Sequence, residues 1–166
     1  MLPCTHPEIS ELSAQVRLLR DHSELRALFD RYLTALDLDG VPEGDETSFG
    51  GIFTEDATFT FPIGTCSGTD GFTAFQRQAR GRWARTHHLG SGHAISVEGD
   101  RATLRVQQLT AHVHHPGDGP SGRFDVGGYS EARALRTEAG WRLSHVAYHV
   151  VWDSGDRLPE LTGVRL

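Results

Sequence analysis

Leu25, Leu28, Phe29, Tyr32, Leu33 and Leu36 recur every three or four residues. That spacing lines one face of a helix. Asp21 followed by Glu24 has the form of a capping box and predicts the start of this helix. Upstream, residues 8–20 predict a shorter helix through Ile9, Leu12, Val16 and Leu19, with residues 1–7 as a loose arm. Gly40 and Pro42 predict the stop, and GVPEGDETS reads as a loop. Phe49 to Phe53 predict a further helical turn.

The pattern then changes period. TEDATFTFPIG reads as a strand with Phe59 and Phe61 on one face, stopped by Pro62 and Gly64. Thr69 is placed to cap a helix over 70–80 with Phe72, Phe75 and Ala79 inward. From residue 85 on, strand follows strand, with turns at Gly99-Asp100 and Ala139-Gly140 and a Pro/Gly-rich loop over 116–123. Gly90-Ser91-Gly92 marks a bulge, which breaks simple alternation after it. The segment 102–114 is the most informative. Ala102, Leu104 and Val106 share a face with Gln108, Thr110, His112 and His114. That face is apolar at one end and polar at the other, as expected of a strand that leaves the core to line a polar pocket.

Helices followed by long strands predict an α+β fold. We expect one domain over 1–166, with a strongly curved antiparallel sheet wrapped around N-terminal helices. Such a sheet forms a cone with an internal pocket, a natural small-molecule site. The tail 153–166 carries Leu158, Leu161, Val164 and Leu166 and is expected to lie over the pocket or the sheet.

Composition narrows the chemistry. At 166 residues the chain can bury a sizeable core. Its net charge of −6 argues against nucleic acid and against an anionic membrane surface. All 16 basic residues are Arg, which removes Schiff-base, pyridoxal-lysine and P-loop mechanisms and fits a GC-rich genome. Cys4, in the arm, and Cys66, in a Gly-rich turn, form neither metal spacing nor a disulfide framework. No apolar run is long enough to span a membrane and no signal peptide is visible, so a cytoplasmic protein is expected.

Ten histidines are many for this length. A carboxylate at the end of the first long helix, Asp37, and an inward histidine on a strand could pair. The carboxylate would fix the tautomer and leave the second ring nitrogen as a base or acid near neutral pH. Periodicity alone does not decide whether His87 or His88 faces inward. HVHH (112–115) invites a metal reading because His112 and His114 share a face, but two histidines without a third ligand make no zinc site, and no metal is expected. His114 and His115 read as a solvated strand end. Tyr32 fits an ordinary core position as well as a pocket.

The order of motifs does more. A helix with Tyr-x4-Asp, then IFTEDATFTF, SGTDGF, THHLG, GDRATL and GGYSEARALRTEAGWRLSHV resembles the SnoaL-like branch of the nuclear-transport-factor-2-like superfamily, over roughly residues 21–152. The resemblance is nearest to scytalone dehydratase and bile-acid 7α-dehydratase. It implies a cofactor-independent acid–base enzyme, a dehydratase or cyclase. The expected substrate is a small, largely apolar polyketide-like or polycyclic intermediate of secondary metabolism. It selects His88 over His87 as the partner of Asp37, makes His112 the second catalytic histidine and donor to the leaving oxygen, and makes Tyr32 the hydrogen bond to an oxyanion. Phe53, Phe59, Phe61, Trp83, Tyr129 and His149 are the expected substrate contacts. Ketosteroid isomerase is similar through YLTALDLDG, but its base would fall on or near Phe61, which takes no proton. The water-holding tyrosines of scytalone dehydratase would fall near Leu36 and Phe61, and its substrate-binding Ser and Asn near Ala132 and Ala134. A different substrate follows. Relatives imply a homodimer or homotrimer, and the fold also serves as a non-catalytic binding or assembly subunit.

Overall fold

The structure, a computed structural model, describes residues 7–37, 49–117 and 122–162. Helix α1 spans Pro7–Asp37; strand β1 (Phe53–Phe61) and strand β2 (Gly64–Ser67) form a hairpin; helix α2 spans Gly68–Arg80. Strands β3 (Arg85–Glu98), β4 (Arg101–Val113), β5 (Arg123–Thr137) and β6 (Gly140–Gly155) follow, with a closing 3-10 turn at Pro159–Leu161. The six strands form one sheet in the order β2-β1-β6-β5-β4-β3. Its inner face packs on the helices as an α+β cone with an internal pocket.

Two expectations are corrected. The sheet is mixed, because β1 runs parallel to β6. A parallel neighbour needs a long crossover. α2 supplies it by carrying the chain to the far edge, from which the β3–β6 meander returns beside β1. The second correction concerns α1, which is one helix of 31 residues rather than two. Asp21 does not cap anything. Its carboxylate accepts hydrogen bonds from Arg136 Nη1 and Nη2, at 2.8 and 2.7 Å, and from Trp141 Nε1 at 3.2 Å. No Gly or Pro stands near it to stop the helix. Ile9, Leu12, Val16 and Leu19 are exposed on the projecting first half.

Strand β2 was not expected from sequence. It is four residues long and joined to β1 by Pro62-Ile63, with Phe61 opposite Gly64. Cys66 therefore sits on a strand rather than in a turn. The stop at Gly40-Pro42, the loop that follows it, Cys4, and the tail positions Val164 and Leu166 lie outside the described residues.

Strand β4 alternates as its sequence does: Ala102, Leu104, Val106, Gln108 and Thr110 are buried and their neighbours exposed. The bulge falls between Ser91 and Ala94, where the β3–β4 register shifts. Just before it, Gly90 receives the side chain of Leu33 from α1. A Cβ there would stand 2.5 Å from Leu33 Cδ1 and 3.3 Å from Val106 Cγ1. Leu33 is itself buried and has little room to retreat. We therefore expect Gly90→Ala to destabilise the fold by about 1–3 kcal/mol through overpacking. A denaturant melt checks this, and a variant as stable as the parent would show that α1 lies farther from β3.

Candidate active site

The pocket holds about 880 Å³ of empty space, its open mouth included. Its apolar lining includes Phe61, Ile63 and Phe75 from the β1–β2 corner and α2, then Trp83, Phe124 and Leu161. Its polar lining includes His88, His112, Thr86, Thr110, Gln108, Tyr32 and Tyr148.

Asp37 is the last residue of α1 and reaches across to β3. Its Oδ1 accepts a hydrogen bond from His88 Nδ1 at 2.6 Å and from the Thr86 hydroxyl at 3.1 Å; its Oδ2 accepts the backbone N–H of His88 at 2.7 Å. The exposed ring of His87 lies 3.5 Å from Oδ2. Both side chains of the main pair are mostly buried, His88 to 13% and Asp37 to 19% residual exposure. Burial pushes the Asp37 carboxyl up, but the hydrogen bonds from the His88 ring and amide and from Thr86 outweigh it, leaving a net pKa below the ordinary value. An ionised carboxylate only accepts, so Nδ1 of His88 carries a proton and Nε2 is the ring nitrogen left over. His88 lines the pocket with that nitrogen unclaimed by Asp37.

Arg80 holds the helix end that carries Asp37. Its Nε donates to Leu36 O at 3.1 Å and its Nη2 donates to Ala35 O. These are carbonyls of the last turn, which lack partners within the helix and sit at its negative pole. Nothing in the periodicity of the chain pointed to Arg80 or Thr86. Their role rests on contacts across 44 and 49 residues of sequence.

His112 stands beside His88, ring centroids 6.4 Å apart. Its Nδ1 bonds Phe124 O at 3.0 Å. A carbonyl cannot donate, so Nδ1 carries the proton. Burial is the main cause that drives the His112 pKa down to about 4. At neutral pH the ring is uncharged and Nε2 is an acceptor. With Nδ1 held by Phe124 O, Nε2 is the ring nitrogen left to the pocket.

This has a consequence for stability. The unfolded chain takes up a proton at His112 near 6.5 and the folded chain only near 4. The unfolded state binds more protons between those values, so the contribution is complete above about 6.5 and drains as pH falls toward 4. Asp37, with its lowered pKa, adds a loss of the same sign at still lower pH. Thermal melts from pH 7 to 4.5 should fall more gently in His112→Gln than in the parent. Parallel curves would contradict the buried neutral imidazole.

Tyr32 is 1% exposed and packed edge-on against Phe29 and Phe53, yet it lines the pocket. Burial above all raises the pKa of its phenol, so it stays protonated and can donate. Phe61 and Trp83 also line the pocket, with Trp83 4.6 Å from the His112 ring. Phe53 and Phe59 do not line it. They lie behind the wall in an aromatic cluster with Phe72. Tyr129 and His149 are also corrected: they stack at 4.8 Å on the convex face, under Arg105 and beside Glu131. Tyr129 shares its strand parity with exposed Glu131 and Arg133. A register shift near Ser144 turns His149 outward. His114 is not a solvated strand end. It is 5% exposed against Trp83 and bonds Asp156 O at 2.9 Å. Among the described residues no three His, Cys, Asp or Glu side chains converge to hold a metal ion, and no helix is long and apolar enough to cross a membrane.

A curved sheet over helices defines the class, and comparison with known proteins agrees on the fold. The SnoaL-like domain family matches residues 17–147, and the chain belongs to that family. Among solved structures it is similar to the protein Kfla4162 from Kribbella flavida, at 28% identity over 82% of this chain and 95% of that one, with a TM-score of 0.72. It is also similar to hexachlorocyclohexane dehydrochlorinase LinA-type3 from Novosphingobium barchaimii, at 17% identity, 86% and 94% coverage and a TM-score of 0.73. A nuclear-transport-factor-2-like protein from Salmonella enterica matches at 20% identity, 86% and 95% coverage and a TM-score of 0.67. The last two likenesses concern the fold. No functionally curated protein matches the chain.

Proposed function

We propose that the pocket catalyses a cofactor-free elimination of water from a small, largely apolar β-hydroxy carbonyl compound of the polyketide-like or polycyclic kind. The observation that carries this reading is the Asp37–His88 pair, with Nδ1 held at 2.6 Å and the other ring nitrogen left to the pocket. His88 Nε2 removes the proton on the carbon next to the carbonyl. The C–H electrons pass into an enolate, and Asp37 stabilises the imidazolium that forms. As the enolate collapses, the β C–O bond breaks. The same imidazolium returns its proton to the departing hydroxide, water leaves and His88 is neutral again. His112 Nε2 accepts the hydrogen of the β-hydroxyl and orients it toward His88. Tyr32 donates to the carbonyl oxygen as it gains charge. The apolar walls exclude water, which strengthens those contacts.

Membership of a family with dehydratase-like neighbours supports a lyase, as does the likeness to a protein named for removing hydrogen chloride, another elimination. Proton-driven cyclisation is the second reading. Leu36 and Phe61 line the pocket without a hydroxyl to hold a water, and ring closure needs mainly shape and one acid–base group. The test is turnover of aromatic and polycyclic β-hydroxy ketones, followed as loss of 18 mass units, by the parent and by His88→Gln. Binding without turnover by the parent would instead indicate a non-catalytic subunit. A homodimer or homotrimer through the convex face, where Leu89, Leu109 and Trp152 are exposed, completes the proposal.

A further inference from the structure

Gln108 ends an apolar run. On β4 it follows Ala102, Leu104 and Val106 on the inner face, and it is itself 7% exposed. A primary amide carries two donor hydrogens and two acceptor lone pairs, and burying such a group unpaired is costly. Two partners hold it here. The Ser130 hydroxyl, from β5, donates to Gln108 Oε1 at 2.8 Å, and Gln108 Nε2 donates to Thr110 Oγ1 at 3.3 Å. Ser130 is 1% exposed and stands behind the wall, whereas Gln108 and Thr110 line the pocket. The oxygen end of the amide is therefore the inner end, and the nitrogen end faces the cavity. Nε2 has a second hydrogen, and among the described residues nothing accepts it.

The strand register shows what lies around that hydrogen. Strands β3 and β4 pair Thr86 with His112, His88 with Thr110, and Gly90 with Gln108. His88 is thus the middle rung of an inward ladder, with His112 on one diagonal and Gln108 on the other. Diagonal neighbours stand roughly 7–8 Å apart, within reach of long side chains. Opposite Gln108 no side chain comes from β3. The group that fills the space over Gly90 is Leu33, which accepts no hydrogen bond.

We propose that Gln108 is a ligand-binding residue whose second N–H takes an acceptor oxygen of the ligand, with Ser130 as the positioning residue that aims the amide. This rests on the pocket being the substrate site. It adds the substrate class and its orientation: a carbonyl compound or its enolate, with that oxygen on the far side of His88 from any group held at His112. The carbon between the two is then the one presented to His88. A carbonyl oxygen completes the pairing of the buried amide, whereas a carbon in its place leaves the N–H unpaired.

The test compares two probes of one shape, 2-acetylnaphthalene and 2-isopropenylnaphthalene, which differ in having C=O or C=CH2. Binding is read by quenching of tryptophan emission, with a thermal melt for each variant. Gln108→Met keeps the length and removes the donor. It should weaken the ketone about five- to tenfold, the size of one neutral hydrogen bond, and leave the alkene unchanged. Ser130→Ala should weaken the ketone about threefold and again spare the alkene, and it carries the test if Gln108→Met does not fold. The double variant should bind the ketone no more weakly than Gln108→Met alone, because Ser130 acts through Gln108. Thr110→Val removes an acceptor and leaves the amide donor, so it should cost the ketone less than Gln108→Met. Equal losses for ketone and alkene, no loss for either, a larger ketone loss in Thr110→Val, or no binding of the ketone by the parent would each overturn the assignment. Neither probe has a β-hydroxyl to lose, so failure to find dehydration would sink the proposed reaction and leave this inference standing.

Discussion

His88→Gln is expected to lower kcat on a β-hydroxy ketone by about 10²–10⁴-fold, the usual worth of a positioned general base. The argument is geometric. Glutamine is close in size and can still offer an N–H toward Asp37. The backbone N–H of residue 88 and the Thr86 hydroxyl continue to satisfy that carboxylate. The carboxylate is therefore not left buried and bare, and the fold should survive. An amide, however, takes up no proton at working pH. The loss should appear in kcat with KM little changed, because the side chain acts on a proton and contributes little to ground-state binding. Steady-state kinetics with a parallel thermal melt check both halves. A variant that keeps more than a tenth of the parental kcat would remove His88 from the chemistry.

Phe72→Ala is expected to destabilise the protein by about 3–5 kcal/mol. Phe72 is the one fully buried residue of α2, at 0% exposure. It stacks on Phe59 at 4.1 Å and meets Phe49 and Phe53 at 4.9 and 5.1 Å, with Phe61 and Tyr32 at the rim of the same cluster. Removing the ring leaves a hole bounded by β1, α1 and the turn at Phe49, which have no simple way to collapse. For a chain of this size the melting temperature should drop by on the order of 10 °C. Urea unfolding of the variant gives the number directly. A cost below about 1 kcal/mol would mean that α2 is held by something other than this ring.

Strand β4 was readable in full because its alternation is unbroken and its polar end coincides with the pocket. The Asp37–His88 pair was readable as a candidate, since a carboxylate at a helix end and a histidine on a neighbouring strand leave few other arrangements in this family. What stayed hidden follows a pattern. Trp141 and Leu143 are buried on β6, and simple alternation from them would turn His149 inward; the shift near Ser144 reverses it. The continuous α1 was hidden because Asp21 looks like a cap until Arg136 and Trp141, over 110 residues away, claim its carboxylate. The acceptor state of His112 depends on who donates to whom. Hydrogen-bond direction has no period and leaves no trace in the order of residues.

The pocket is divided in its origins. The groups that move or hold protons come mainly from the β3–β4 hairpin and from the end of α1 locked onto it. Much of the apolar lining comes from α2, the β1–β2 corner and the C-terminal turn. Ile63, Phe75 and Leu161 make none of the hydrogen bonds that join Asp37 to β3, so bulk can be added or removed there with those bonds in place. A descendant of this chain could exchange one carbon skeleton for another by redrawing that half alone, and keep its reaction intact.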